Sequence, residues 1–112
     1  MYGLPDEGLS KQQIEDRLGA DLHLVYALAT TWESLGVLVH RREIDLPLVS
    51  EFFSGPIKIS WQKLRNYFIE ERALQKRETI GEWFQWLAER LNAAEVASDR
   101  VPAHLAHKDW TQ

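Results

Sequence analysis

The sequence of 112 residues contains no cysteine. Without a thiol there can be no disulfide framework, no thiolate metal ligand and no cysteine nucleophile. Its first residues, MYGLPDEG, have no basic segment followed by an apolar one, so no secretory signal is visible. We therefore expect a cytoplasmic protein.

The sequence also lacks the signals of β-structure and of common catalytic sites. It has no period-2 alternation of useful length, no Asn-Gly or Asp-Gly hairpin, no internal repeat and no low-complexity run. It contains no Ser-His-Asp set, glycine-rich phosphate loop, H-E-x-x-H motif or Walker pattern. We assign no catalytic residue and expect no cofactor. The sequence therefore gives no support for an enzymatic function.

Apolar and aromatic residues are abundant. Hydrophobic residues make up 45% of the chain and aromatic residues 11%, including five tryptophans. This composition is globular, and the length suffices for one domain with its own core. We predict an all-α, single-domain helical bundle of four to five helices over residues 1–97, with a flexible arm at 1–9. An irregular tail at residues 98–112 follows.

The most apolar stretch, from Asp21 to His40, is predicted to be the helix around which the others pack. Its apolar residues cover nearly half of a helical circumference, which is wider than one neighbour can cover. A charge at Glu33, in mid-span, argues against insertion into a membrane. Gly36 is either a left-handed residue that ends the helix or a small residue that admits another helix. We favour the second interpretation, because the apolar arc continues to Val39.

Cap signals define the first and last helices. Ser10 with Gln13 at the capping-box position opens a helix, which we expect to kink or break near Gly19. Thr79 with Glu82 is a second capping box and opens the last helix.

Between these helices we predict a short helix from Leu46 to Phe53 and a basic helix over about residues 57–76. Ser54-Gly55-Pro56 separates them, because proline cannot continue the first of the two. The helical stripes together predict a core that contains Leu28, Trp32, Leu35, Trp61, Leu64, Phe68, Phe84 and Leu87.

The formal net charge is -4, but residues 57–77 hold six Lys and Arg against two Glu. Four basic residues follow one flank of the predicted helix and would contact phosphates in a nucleic-acid-binding regulator, our alternative function: Lys58, Arg65, Arg72 and Lys76. Acidic residues interrupt this run and dominate the rest of the chain. We favour a flank that pairs with acids of neighbouring helices, and do not expect nucleic acid as a partner.

Two further candidates concern metal binding and proton transfer. His104 and His107 form an H-x-x-H pair in the tail, but a zinc site needs a third ligand and rigid support, so we expect no metal. Glu33, flanked by apolar residues, could be a carboxylate with a raised pKa. An ion pair with Arg41, Arg42 or an arginine of another helix is the simpler interpretation.

The aromatic excess favours a protein-interaction module. Trp86 points about 100° away from the core residue Leu87, and Ala93 and Ala97 continue its flank. With Trp110 of the tail, they form the predicted partner-binding set, and self-association into a homodimer is the function we favour. Alternatively, the tail folds over Trp86 within the chain. A small enzyme or metal-binding protein is the third possibility.

The run from Trp32 to Val39, with Ile44-Asp45-Leu46, Phe52-Phe53-Ser54-Gly55 and Trp61, resembles an uncharacterised bacterial domain family over about residues 24–90. The resemblance implies an all-helical fold and brings no catalytic or binding residues. Some members of that family look as if they carry a membrane helix ahead of the domain. This chain lacks one, so we expect no membrane insertion.

Replacing Trp32 tests the predicted core. Trp32→Ala should lower the free energy of unfolding by about 3 to 5 kcal/mol, because it empties a large aromatic site. Urea denaturation followed by circular dichroism measures this loss. A loss of less than about 1 kcal/mol, which is typical of surface positions, would place Trp32 outside the core.

Overall fold

The structure, a computed structural model, describes residues 4–96 and 101–111. Its four longer helices are α1 (Lys11–Leu18), α2 (Leu22–His40), α3 (Leu46–Gln75) and α4 (Glu82–Val96), and a single turn, α5 (Ala103–Ala106), follows in the tail. These described residues include no strand. The predicted all-α fold is confirmed.

The helix α1 begins and ends where the sequence predicts. Ser10 Oγ accepts a hydrogen bond from the Gln13 backbone N–H at 3.2 Å, and Gln13 Oε1 accepts one from the Ser10 N–H at 2.9 Å. The helix ends at Leu18, where Gly19 has a φ of 49° and a 3-10 turn over residues 19–21 leads into α2. The predicted break near Gly19 is confirmed.

The predicted helix end at Ser54-Gly55-Pro56 is wrong, because α3 runs from Leu46 to Gln75 with Pro56 inside it. A proline removes one backbone hydrogen bond and crowds the carbonyl four residues earlier, which is that of Phe52. Both residues lie on the exposed side of α3. The stripe is buried at Val49 and at Ile57, before and after the proline, while Phe53 between them is 41% exposed. Burial of this stripe therefore outweighs the local helix-breaking signal.

The helix with neighbours on both sides is α4, and the prediction that the others pack around α2 is wrong. Both α2 and α3 pack along α4, whose inward residues Phe84, Leu87 and Ala88 are fully buried. The apolar arc of α2 is wider than its neighbours cover, so that Leu24 remains 57% exposed. α2 buries one stripe, formed by Val25, Ala29, Trp32, Gly36 and Val39.

The core contains six of the eight predicted residues, while Leu28 and Leu35 are half-buried against it. At its centre the rings of Trp61, Phe68 and Phe84 pack together, with centroids 5.2 to 6.0 Å apart. Leu4, in the segment before α1, is also buried. α4 begins at Glu82, three residues after the predicted cap, because residues 78–81 form a turn.

At Gly36 the backbones of α2 and α4 lie close together. A Cβ atom built on Gly36 would lie 2.5 Å from the carbonyl oxygen of Trp83 in α4. Since Gly36 is an ordinary residue within α2, which continues to His40, it does not end the helix. The interpretation of Gly36 as a contact with another helix is confirmed.

Gly36→Ala should therefore lower the free energy of unfolding by about 1 to 3 kcal/mol, because the added methyl group forces the two helices apart. Gly55→Ala is the matched control, since Gly55 is also helical but a Cβ atom added there would meet no heavy atom within 4 Å. At Gly55 the substitution should stabilise the protein by up to about 1 kcal/mol, because alanine loses less backbone entropy on folding than glycine. Crowding of the new methyl group against Pro56 partly offsets this gain. Equal stability of the two variants in urea would contradict the close helix contact.

Candidate functional site

An apolar surface between α2 and α3 is the candidate functional site. We call it the α2–α3 face, and it consists of Leu28, Trp32, Leu35 and Leu38 of α2 and Phe52, Phe53, Pro56 and Ile59 of α3. Two shallow depressions of about 460 and 470 Å³ share Trp32. The first is bounded by Leu28 and Ile59, and the second by Leu38 and Phe53. The two depressions make the surface contiguous.

The face arises because α2 and α3 are each apolar over a wider arc than α4 covers. Phe53 lies on the same helical stripe as the buried Ile57, yet it is 41% exposed. The Phe53 ring packs against Trp32 on one side and Phe52 on the other, with centroids 5.6 and 5.9 Å apart. Isolated exposed apolar residues are normal, whereas contiguous groups mark interaction sites.

Trp32 forms the floor of the face and is itself buried. Its indole Nε1 has no hydrogen-bond acceptor within the part of the chain that the structure describes. Buried indole N–H groups usually have an acceptor, and a missing one costs about 1 to 3 kcal/mol. Packing Trp32 at the floor of the face therefore leaves its indole N–H group without a hydrogen bond.

The partner-binding set predicted from the sequence lies elsewhere. Trp86 is half-buried, and its ring contacts the rings of Trp83 and His40 with centroids 5.7 and 5.6 Å apart. Ala93 and Trp110 are exposed, while Ala97 lies outside the described residues. The contact with His40, at the end of α2, was missed from the sequence because it depends on how α2 crosses α4. A role of this set in partner binding stays a prediction.

Two of the four predicted nucleic-acid contacts are engaged within the chain. Lys58 pairs with Glu95 of α4. Arg72 donates from Nε to the carbonyl oxygen of Ile80 at 2.7 Å and from Nη1 to Gln85 Oε1 at 2.8 Å. Lys58 therefore has an acidic partner on a neighbouring helix, as predicted, whereas Arg72 binds neutral groups.

The other two predicted contacts, Arg65 and Lys76, are exposed. Binding of nucleic acid to this flank stays a prediction. The tail histidines His104 and His107 are exposed as well, in and directly after α5. Across residues 4–96 and 101–111 no three His, Asp or Glu side chains come together in a way that could hold a metal ion.

Glu33 caps the beginning of α4 and forms no ion pair with an arginine that the structure describes, in contrast to the prediction. Its Oε1 accepts a hydrogen bond from the Phe84 backbone N–H at 2.7 Å. The first N–H groups of a helix have no acceptor within the helix and attract a carboxylate. Burial raises the pKa of Glu33 above its usual value, opposed by hydrogen bonds from the N–H groups of Phe84 and Trp83.

The sequence profile of a protein family, described as a domain of unknown function (DUF4760), matches residues 4–91. The chain belongs to the DUF4760 family. The resemblance to an uncharacterised family is confirmed, and the match begins well before the predicted residue 24. No curated protein and no solved structure matches the sequence. The matched DUF4760 region includes all four longer helices except the end of α4, and it contains the whole α2–α3 face.

Among the described residues, the helical stretch Lys11–His40, which comprises α1, the 3-10 turn and α2, is long and apolar enough to cross a membrane. Only 28% of its most apolar window is buried in the structure. Core helices of globular domains pass the same test of length and composition. The low burial of this stretch reflects the uncovered flank of α2.

Substitution of Glu33 tests its role as a cap in the DUF4760 domain. Glu33→Ala should lower the free energy of unfolding by about 1 to 3 kcal/mol, because it leaves the N–H groups at the start of α4 without an acceptor. Glu33→Gln keeps an acceptor oxygen and should lose less.

The pH dependence of the same variants tests the raised pKa. Because the pKa of Glu33 is raised on folding, its stabilising contribution is complete below the unfolded pKa and is lost as the pH rises through the folded pKa. The stability of the unmodified protein relative to Glu33→Gln should therefore fall between acidic and neutral pH. Urea titrations at several pH values that give a constant difference would contradict the raised pKa.

Proposed function

We propose that this DUF4760 domain is a helical interaction module that self-associates through the α2–α3 face and has no catalytic activity of its own. The supporting observation is the contiguous exposed apolar surface that joins two helices across Trp32. Phe52 is 68% exposed and Ile59 is 48% exposed within it. Apolar surfaces of this kind mark sites of protein association.

A second copy of the chain suits this face better than a charged partner. The depressions of the face are lined by apolar residues and by four uncharged hydroxyl side chains, those of Thr30, Thr31, Ser34 and Ser60. Lys63, at the edge, lies 3.7 Å from Asp6 of its own chain. Charged residues are depleted at the centres of protein interfaces. In a dimer with two-fold symmetry the same surface meets itself, so one apolar face provides both halves of the interface.

The exposed apolar area amounts to part of what a dimer interface buries. Aromatic side chains carry 150 to 250 Å², so the exposed parts of Phe52, Phe53 and Ile59 together offer about 300 Å². The half-buried leucines of α2 add to this. A standard interface buries about 800 Å² on each partner, of which the centre is apolar and the rim polar. The α2–α3 face is therefore large enough to form such a centre.

Within α4 the surface predicted from the sequence offers less apolar area. Trp86 is the only large apolar residue of the predicted set within α4, and it is half-covered by Trp83 and His40. The neighbouring Ala93 adds a single methyl group. We therefore place the proposed interface on the α2–α3 face.

Two matched substitutions on α3 test self-association. Ile59 belongs to the face, whereas Ile69 does not, and they are 48% and 45% exposed. They lie about 15 Å apart along the helix. Ile59→Ser should raise the dissociation constant of the dimer by about tenfold or more, because two isoleucines leave each interface. Ile69→Ser should leave the dissociation constant unchanged.

Sedimentation velocity over a range of protein concentrations measures these constants, and circular dichroism verifies that both variants fold. A protein that stays monomeric at every concentration would contradict the proposal. Equal association of the two variants would move the interface away from the α2–α3 face.

A further inference from the structure

The tail after α4 contains a segment that is folded locally but is not covered by its own domain. We call residues 101–111 the C-terminal arm. The turn α5 is closed by hydrogen bonds within it, including one from the His107 N–H to the carbonyl oxygen of Ala103 at 2.9 Å. The Trp110 N–H then donates to the carbonyl oxygen of His107 at 3.0 Å. Every residue of the arm is nevertheless exposed.

The arm is too short to hold its helical turn alone in water. Isolated helices shorter than about 12 to 15 residues are marginal, and α5 has four residues. Most of the stability of a helix in a protein comes from the packing of its apolar side. The arm has three large apolar side chains, Val101, Leu105 and Trp110, and they are 56% to 67% exposed. A surface that covers these side chains would stabilise the turn.

An exposed apolar stripe on α3 offers such a surface. Leu48, Phe52 and Ile59 are spaced by four and seven residues, which places them on one side of a helix. They are 47% to 68% exposed. Gly55 lies on the same side, and a Cβ atom added there would meet no heavy atom within 4 Å. We call these four residues the outer α3 stripe, which shares Phe52 and Ile59 with the α2–α3 face and extends it to Leu48.

The arm leaves the domain at the end of α3 that carries this stripe. Ala94, in the last turns of α4, borders a depression together with Ser50 of α3. Ser50 lies between Leu48 and Phe52 in the chain. An extended chain spans about 3.3 to 3.6 Å per residue, so residues 97–111 with their helical turn could span up to about 45 Å. The arm is therefore long enough to reach a second copy that is bound at the α2–α3 face.

The area of the α2–α3 face leaves room for a further contact in the dimer. Its large exposed side chains offer about 300 Å², whereas each partner of a standard interface buries about 800 Å². The exposed part of Trp110 alone would add about 100 to 170 Å². In a dimer with two-fold symmetry this contact forms twice. The arm thus supplies apolar area that the face lacks.

We propose that the C-terminal arm of each copy packs along the outer α3 stripe of the other copy. This inference rests on the proposed self-association and adds a second pair of contacting surfaces to it. The arm is exposed on its own domain, and exchange of a segment between identical chains is a low-cost route to a dimer. The contact removes the apolar side chains of the arm and of the stripe from water.

Substitutions in the full chain test this contact. Trp110→Ser and Leu48→Ser should each raise the dissociation constant of the dimer by about tenfold, because each removes an apolar contact twice. Leu74→Ser is the control, since Leu74 is an exposed leucine at the other end of α3. The variant with both Trp110→Ser and Leu48→Ser should lose less than the product of the two single effects, because neighbouring residues are not independent.

Sedimentation velocity measures these dissociation constants. A full chain that stays monomeric would contradict the self-association and the arm contact together. A dimer that is unaffected by Trp110→Ser would overturn the arm contact alone and leave the α2–α3 interface in place. The arm contact is equally wrong if Leu48→Ser has no effect, or if the two single effects multiply in the double variant.

A spin label identifies the copy that the arm contacts. Because the chain has no cysteine, Lys108→Cys provides a single labelling site in the exposed arm. Spin-labelled protein is mixed with unlabelled protein that carries nitrogen-15. The amide signals of Leu48 and Phe52 in the nitrogen-15 copy should broaden, while that of Leu74 should not. Broadening that occurs only when label and isotope share one chain would show that the arm folds onto its own domain, which overturns the proposal.

Discussion

The close contact between α2 and α4 at Gly36 determines most of this structure. Only a residue without a side chain allows the two backbones to meet at this distance. Three residues before Gly36, Glu33 reaches the N–H groups at the start of α4. Four residues after it, His40 covers Trp83 and Trp86. One helical crossing thus explains the cap of α4 and the partial burial of Trp86.

The same crossing leaves residues on either side of the buried stripe of α2 partly exposed, and α3 contacts both sides, through Phe53 and Tyr67. One stripe of α2 is used for the contact with α4, and the wider apolar arc continues beyond it to Leu28 and Leu35, which border the α2–α3 face. On the other side of the stripe Tyr26 and Glu33 border a smaller depression between α2 and α3. The proposed interface therefore follows from a helix that is more apolar, and longer, than its contact with α4 requires.

Features that depend on neighbouring residues could be predicted from the sequence. The capping box at Ser10, the break at Gly19 and the all-α fold belong to this class, since caps and periodicity are local. Features that depend on distant residues could not. Continuation of α3 through Pro56 depends on burial against α4, and the partner of Glu33 is 51 residues away in the chain. Composition led to the wrong prediction that α2 is the central helix. A wide apolar arc occurs both in central helices and in helices with an uncovered apolar flank.

Pro56 supports a functional role for the α2–α3 face on separate grounds. A proline inside a helix costs stability, about 3 kcal/mol in an exposed helix, and Pro56 is exposed. Proteins break such local rules at functional sites and compensate for them elsewhere in the fold. Pro56 lines one depression of the face, beside Ile59 and opposite Leu28. The rigid, apolar ring adds to the apolar surface there, although it leaves the carbonyl oxygen of Phe52 without its helical donor.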